Sequence, residues 1–261
     1  MTTQYTLNDG HSLPTIGLGT ASLTGEAGAA AIAAALGIGY RLLDSASVYG
    51  NEDVVGAAVR GCDVPRSEIV VASKLPDGDH GYAATMRSFE TTLANLRMET
   101  VDLYLIHWPV PENDRYVDSW RAMIDLREAG RIRSIGVSNF DQMQLRRVID
   151  ETGVVPVVNQ VPLYLGLPQD ELRAVHDQLG ILTQSYSPLK NADRLRTDPR
   201  TSAIAASHGV SVSQVVLRWI IQLGAVPLPR SRRPEHQAEN VDVFGFELTS
   251  DEMAAIGALR W

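Results

Sequence analysis

One cysteine, Cys62, stands in 261 residues, so no internal disulfide can form, and the thiol usage suits a reducing compartment. Cys62 falls in a Gly-Cys-Asp-Val-Pro loop, where it carries no assigned role. Long apolar runs are missing as well. The most apolar stretch, Ala29 to Leu36, is short and mostly alanine, which reads as a helix of a soluble protein rather than a membrane span. Met1 to Gly10 is polar and lacks the apolar core of a secretory signal. Positive charge is scarce: 23 Lys and Arg face 31 Asp and Glu, for a net charge of −8. Without a basic tail or lysine-rich run, nucleic acid and anionic membrane are poor partners. No linker or low-complexity tract interrupts the chain, so residues 1–261 read as a single domain able to bury a real core. A cytoplasmic monomer is expected, since no surface stripe suggests a partner.

What is present is a repeating rhythm. Gln4–Leu7 and Ser12–Pro14 flank Asn8-Asp9-Gly10, a hairpin signal expected to plug one end of the main fold. Strands are then expected at Ile16–Gly19, Tyr40–Asp44, Ile69–Lys74, Val101–His107, Ile132–Ser138, Val157–Gln160, Ile181–Ser185 and Ala225–Leu228. Helices are expected between them, at Ala27–Leu36, Asp53–Arg60, Tyr82–Leu96, Val117–Ala129, Gln142–Thr152 and Asp170–Leu179. Thr201–His208 and Ser211–Leu223 separate the last two strands, and Glu235–Val241 and Ser250–Leu259 close the chain. The strands are short apolar runs without alternation, as when both faces are buried. Eight strands, each followed by helix, within about 250 residues fit an α/β (β/α)8 TIM barrel with an N-terminal β-hairpin and a short C-terminal extension. A doubly wound sheet is the alternative, but Gly17-Leu18-Gly19-Thr20-Ala21-Ser22 lacks the third glycine of its fingerprint.

The chain is organised around Leu42-Leu43-Asp44-Ser45-Ala46-Ser47-Val48-Tyr49-Gly50-Asn51-Glu52, where an apolar strand ends in a carboxylate and a tyrosine follows on a loop. Asn51 reads as the N-cap of the next helix. In a barrel the C-terminal ends of all strands share one face, so Asp44, Lys74 and His107 meet Tyr49 at one mouth. Each alone has an ordinary structural explanation; the coincidence of four does not. A phenol has a pKa near ~10, and a nearby ammonium stabilises the phenolate and lowers it. Lys74 can supply that charge, with Asp44 orienting it, while His107 can donate a hydrogen bond to a carbonyl oxygen beside the Tyr49 hydroxyl. Such a site suits hydride delivery to a C=O group, with Tyr49 as general acid. No metal is called for.

These residues and their flanks resemble the aldo-keto reductase superfamily, closest in flavour to bacterial 2,5-diketo-gluconate reductase-like members. Leu105-Ile106-His107-Trp108-Pro109 and Ile135-Gly136-Val137-Ser138-Asn139-Phe140 carry the likeness further, and it runs from about Leu13 to Leu248. The resemblance implies an NAD(P)H-dependent oxidoreductase that reduces carbonyls with NADPH. It implies that Ser138, Asn139 and Gln160 hold the nicotinamide carboxamide, that Tyr186 stacks on the ring, and that Ser187 and Leu189 line the pyrophosphate path, with Thr20 also at the cofactor. It assigns Arg230, Ser231 and Arg232 to the 2′-phosphate and ribose, and Glu239 and Asn240 to the adenine. Three arginines before a helix start form a local anion site in their own right. His236 stands where relatives carry an adenine-stacking arginine. The lost charge implies a relaxed preference, with NADH accepted but NADPH ahead.

Val48, Trp108 and Tyr82 are candidate substrate-pocket residues. Ala21 and Pro76 replace tryptophans common in relatives and should open the pocket. The Pro109–Tyr116 loop is short, and Trp261 is a candidate cover for the mouth. A broad selection of aldehydes and activated ketones is expected. Some members of the superfamily act instead as NADP(H)-binding regulatory proteins, a reading that the intact tetrad disfavours.

Overall fold

The computed structural model describes residues 4–259, apart from the side chain at position 192. Trp261 lies outside the described residues. The hairpin forms as expected, with β1 (Gln4–Thr6) antiparallel to β2 (Ser12–Pro14) and Tyr5 opposite Leu13. Gly10 takes φ +85° in its turn, a region that a residue without Cβ enters freely.

Eight further strands form the second sheet: β3 (Leu18–Gly19), β4 (Leu42–Asp44), β5 (Val70–Leu75), β6 (Val101–Ile106), β7 (Ile132–Ser138), β8 (Val158–Pro162), β9 (Leu182–Tyr186) and β10 (Val226–Leu228). Each pairs in parallel with the next in chain order. The ring closes through backbone bonds from the first strand region to the last. The Gly17 N–H donates to the Pro227 carbonyl at 3.1 Å, and the Gly19 N–H to the Pro229 carbonyl at 3.0 Å. With helices between successive strands, this is a (β/α)8 barrel.

The helices Tyr82–Leu96, Gln142–Thr152 and Asp170–Leu179 have the expected bounds. The first strand is shorter than expected, with Leu18 and Gly19 paired to Leu43 and Asp44 of β4. One helix, Ala192–Thr197, was not anticipated. It is short and arginine-rich, and among its described side chains Leu195 is the one in the buried hydrophobic core, so it leaves no apolar period to read.

Inside the ring, Leu42, Ala72, Leu103, Leu105, Val158, Val226 and Leu228 pack together. Leu7 and Leu13 of the hairpin join them, which makes the hairpin the floor plug. The Asn8 Nδ2 donates to the carbonyls of Pro156 and Gly180, which lie just before β8 and β9 and mark the strands' N-terminal ends. A larger cluster, including Phe89, Trp120, Met123 and Phe140, fills the layer between barrel and helices. Each fully buried leucine or phenylalanine there contributes about 1.5–3 kcal/mol. Among the described residues, no single helix is long and apolar enough to cross a membrane.

Gly136 on β7 marks a close approach between strands. A Cβ there would lie 2.8 Å from the Val158 carbonyl oxygen and 2.7 Å from Leu105 Cδ2. Gly136→Ala is expected to lower stability by about 1–3 kcal/mol, as overpacking in a fixed core does. Urea unfolding measures it; an unchanged midpoint would show that the strands can part freely.

Candidate active site

The C-terminal ends of the strands open into a cavity of about 500 Å3. Beneath it sits a buried ion pair. Lys74, near the end of β5, is fully buried and donates to Asp44 Oδ1 at 2.8 Å and to the Ser45 carbonyl at 2.8 Å. A buried ammonium is tolerable only when paired and hydrogen-bonded. Asp44 ends β4, so the pairing of β4 with β5 brings the two together. Gln160 Nε2 also donates to Asp44 Oδ1, at 2.8 Å, and to Gln184 Oε1 at 3.0 Å.

Tyr49 ends a short 3-10 turn, Ser47–Tyr49, which Gly50 leaves at φ +61°. The Lys74 Nζ lies 5.2 Å from the Tyr49 ring centroid. The His107 ring meets Tyr49 edge-on, with centroids 6.0 Å apart at 82°. Asp44, Tyr49 and His107 all line the cavity, and Lys74 stands directly behind.

The expected acidic phenol is not what this arrangement gives. Burial raises the Tyr49 pKa above its usual value; Lys74 and Arg230 pull it down, Asp44 pushes it up, and the net shift is upward. The reason is that loss of hydration on burial outweighs the Lys74 field, which Asp44 in part offsets. His107 is driven the other way, down to about 4, first by burial and then by Lys74. Its imidazole is therefore neutral at pH 7.

The rim on the far side is a hydrogen-bonded set. The Ser138 hydroxyl donates to the Gln160 carbonyl at 2.8 Å. Asn139, held at φ +61°, donates to the His107 carbonyl at 3.0 Å and accepts from the Tyr186 hydroxyl at 3.0 Å. Ser138, Asn139, Gln160, Tyr186, Ser187, Leu189 and Arg230 all line the cavity, as does Trp108, which is 45% exposed. Ala21 lines it too, where a bulkier residue would narrow it.

Several sequence-based assignments fall elsewhere. Thr20 is fully buried, and its hydroxyl donates to the Asp44 carbonyl. Asn51 is the N-cap residue of the Glu52–Gly61 helix, as expected, but its side chain does not make the cap. Its amide donates to the carbonyls of Thr20 and Leu23 and accepts from the Ser45 hydroxyl, which ties the loop after β3 to the end of β4. Tyr82 is on an outer helix, where its hydroxyl donates to Asp125, away from the cavity. Val48 is exposed beside the mouth but is not part of the cavity wall.

The basic turn does sit at the mouth, although Arg230 is its one member in the wall. Arg230 donates to the Ala21 carbonyl and the Ser22 hydroxyl, and Arg232 to the Ser22 carbonyl. Ser231 caps the turn through the Arg233 backbone N–H. His236 is exposed, Asn240 is buried, and Glu239 accepts from Ser211 at the start of the Val212–Gln222 helix. Among the described residues, no group of three or more metal-ligating side chains occurs.

Comparison with known proteins follows the same lines. The aldo/keto reductase family profile matches residues 15–260. The chain belongs to the aldo/keto reductase family. It is 51% identical over 254 residues to 2,5-diketo-D-gluconic acid reductase B of Corynebacterium sp., covering 97% of this chain and 92% of that one. Among solved structures, an aldo/keto reductase from Brucella melitensis superposes with TM-score 0.94 at 42% identity, covering 98% of this chain and 99% of that one. A Gox0644 mutant in complex with NADPH superposes with TM-score 0.93 at 41% identity, over 98% and 93% of the two chains.

The aldo/keto reductase signature did not point to His176, because a helical histidine has no local mark of function. It is fully buried in the Asp170–Leu179 helix. Asn159 Nδ2 donates to its Nε2 at 2.9 Å, so Nδ1 carries the proton and donates to Thr183 Oγ1 at 2.8 Å. Asn159 in turn donates to the Phe140 carbonyl at 2.9 Å, just past Ser138 and Asn139. Burial holds the His176 pKa down to about 4, like that of His107. Unfolding restores both to ~6.5, so above that pH neither matters. As pH falls from ~6.5 towards 4, the unfolded chain takes up protons that the folded chain refuses, and stability falls. The loss is at most ~1.4 kcal/mol per pH unit for each histidine, and less at half-buried His107. Urea midpoints at pH 7 and pH 5 test this; a midpoint that stays level or rises at pH 5 contradicts it.

Proposed function

We propose that this chain reduces aldehydes and activated ketones to alcohols with NADPH, and that Tyr49 is the general acid. The observation that carries the reading is one cavity lined by Tyr49 and His107, with the buried Lys74–Asp44 pair behind them. The name of the Corynebacterium relative supports a keto sugar acid as one member of the substrate class.

The residues present fit the dinucleotide. Among the described residues, Arg230 and Arg232 form no ion pair and donate to neutral acceptors, which leaves their charge available to a phosphate. Ser138, Asn139 and Gln160 offer the donors and acceptors an amide needs, and Tyr186 offers a ring face beside them. Bound NADPH supplies hydride to the carbonyl carbon. The chain supplies the rest. Neutral His107 orients the carbonyl by an N–H hydrogen bond to its oxygen. Tyr49 keeps its proton at pH 7, as any phenol with a pKa of ~10 does, burial only raising that value, and releases it only as negative charge builds on that oxygen. Lys74 stabilises the phenolate left behind, and Asp44 keeps Lys74 charged and fixed. Trp108 forms an aromatic wall beside the reacting carbonyl.

Tyr49→Phe removes the proton and little else. NADPH affinity is expected to stay nearly unchanged while turnover of a small aldehyde, followed at 340 nm, falls roughly 10²–10⁴-fold. Near-wild-type turnover would remove Tyr49 from the role. Tight NADPH binding with no turnover of any carbonyl in the wild type would favour a regulatory function.

Cofactor choice has a separate test. His236 replaces a fixed positive charge, so NADH should be used with reduced discrimination, and NADPH should remain ahead through Arg230 and Arg232. A kcat/KM ratio favouring NADH would overturn this.

A further inference from the structure

Lys190 is a cavity residue that none of the site assignments above uses. It lines the same cavity as Tyr49 and Arg230, and its side chain is exposed. No carboxylate of the described residues pairs with it; its Nζ instead rests 4.9 Å from the Tyr164 ring centroid. The carboxylate that does line the cavity, Asp44, is already engaged by Lys74 and Gln160. Lys190 and Arg230 are thus two cations facing one cavity with no anion to match them.

Their placement indicates which anion. Lys190 follows β9 and Arg230 follows β10, and these strands are paired neighbours, with Ser185 opposite Pro227 and Tyr186 opposite Leu228. They are the seventh and eighth strands of the barrel, after which barrels commonly bind phosphate. His107 and Trp108 follow β6, three strands away from β9 around the ring. An anion held by Lys190 therefore lies on the β9 side of the cavity, across the ring from His107. The loop is shaped to present the side chain. Ser187 and Asn191 both adopt left-handed backbone, at φ +52° and +68°, and the Lys190 N–H donates to the Ser187 carbonyl at 3.0 Å, which folds the segment into a tight turn. A cation resting on an exposed ring is weakly held and exchanges readily for a charge-assisted contact.

We propose that Lys190 binds the diphosphate of the dinucleotide, leaving the Tyr164 ring to close on it across from Arg230. The proposal rests on the dinucleotide-dependent reading above and deepens it. Because NADPH and NADH share the diphosphate, Lys190 contributes to affinity for both and to discrimination between neither.

The test is dinucleotide binding without substrate, by titration calorimetry of wild type, Lys190→Met and Lys190→Arg against NADPH and NADH at low and moderate salt. Lys190→Met is expected to raise both Kd values by the same factor, about tenfold, and to weaken their salt dependence, with Lys190→Arg close to wild type. Unchanged Kd values for both dinucleotides would overturn the proposal. So would a loss confined to NADPH, which would assign Lys190 to the 2′-phosphate. Unchanged cofactor binding with a raised KM for a keto acid would overturn it in favour of a substrate carboxylate. Failure of the wild type to bind either dinucleotide would instead sink the functional reading itself.

Discussion

The site depends on one ammonium held out of water. Lys74 is fully buried, and its charge is tolerated because Asp44 and the Ser45 carbonyl receive it at 2.8 Å each. Removing one partner of such a pair typically costs about 3–5 kcal/mol, far more than an exposed ion pair contributes. The pair also contributes to the electrostatics of the mouth. Burial is the main cause of both shifts, downward at His107 and upward at Tyr49; Lys74 lowers both and Asp44 opposes it at each. In the proposed reaction, the Lys74 charge would become most useful only once the phenol has lost its proton, which is the differential that a general acid needs.

Around that pair, the residues of the organising motif divide into those that face the cavity and those that hold the surrounding elements. In the Asp44-to-Glu52 stretch, Asp44 and Tyr49 face the cavity, while Ser45, Asn51 and Glu52 bind the surrounding elements together. Ser45 and Asn51 tie the loop after β3 to the end of β4. Glu52, almost fully buried, accepts from Ser73 at 2.6 Å and from Asn95 at 2.9 Å, which anchors the strand carrying Lys74 to the layer of helices. On the other side, His176 orients Asn159, and Asn159 clamps the backbone beyond Asn139. Buried polar networks of this kind are worth having only when every member is satisfied, and they fix geometry more than they add stability.

The family likeness and the geometry agree on fold and mouth, and they part at the margins. The Thr20 hydroxyl donates to the Asp44 carbonyl, and Glu239 accepts from the Ser211 hydroxyl. Tyr82 and Val48 have apolar surface of the right kind but lie outside the wall. In each case the residue type was readable, while its direction depended on which neighbour claimed it first.

The sequence by itself determined the alternation of strands and helices, the hairpin, and the spacing of Asp44, Tyr49, Lys74 and His107. Those are local matters of apolar runs, turn residues and strand ends. Only the tertiary structure decided the sign of the Tyr49 shift, the buried partners of Asn51 and His176, and the presence of Lys190 in the wall. Each of these depends on burial and on partners far along the chain, and no local pattern of residues encodes the balance between desolvation and an opposing charge.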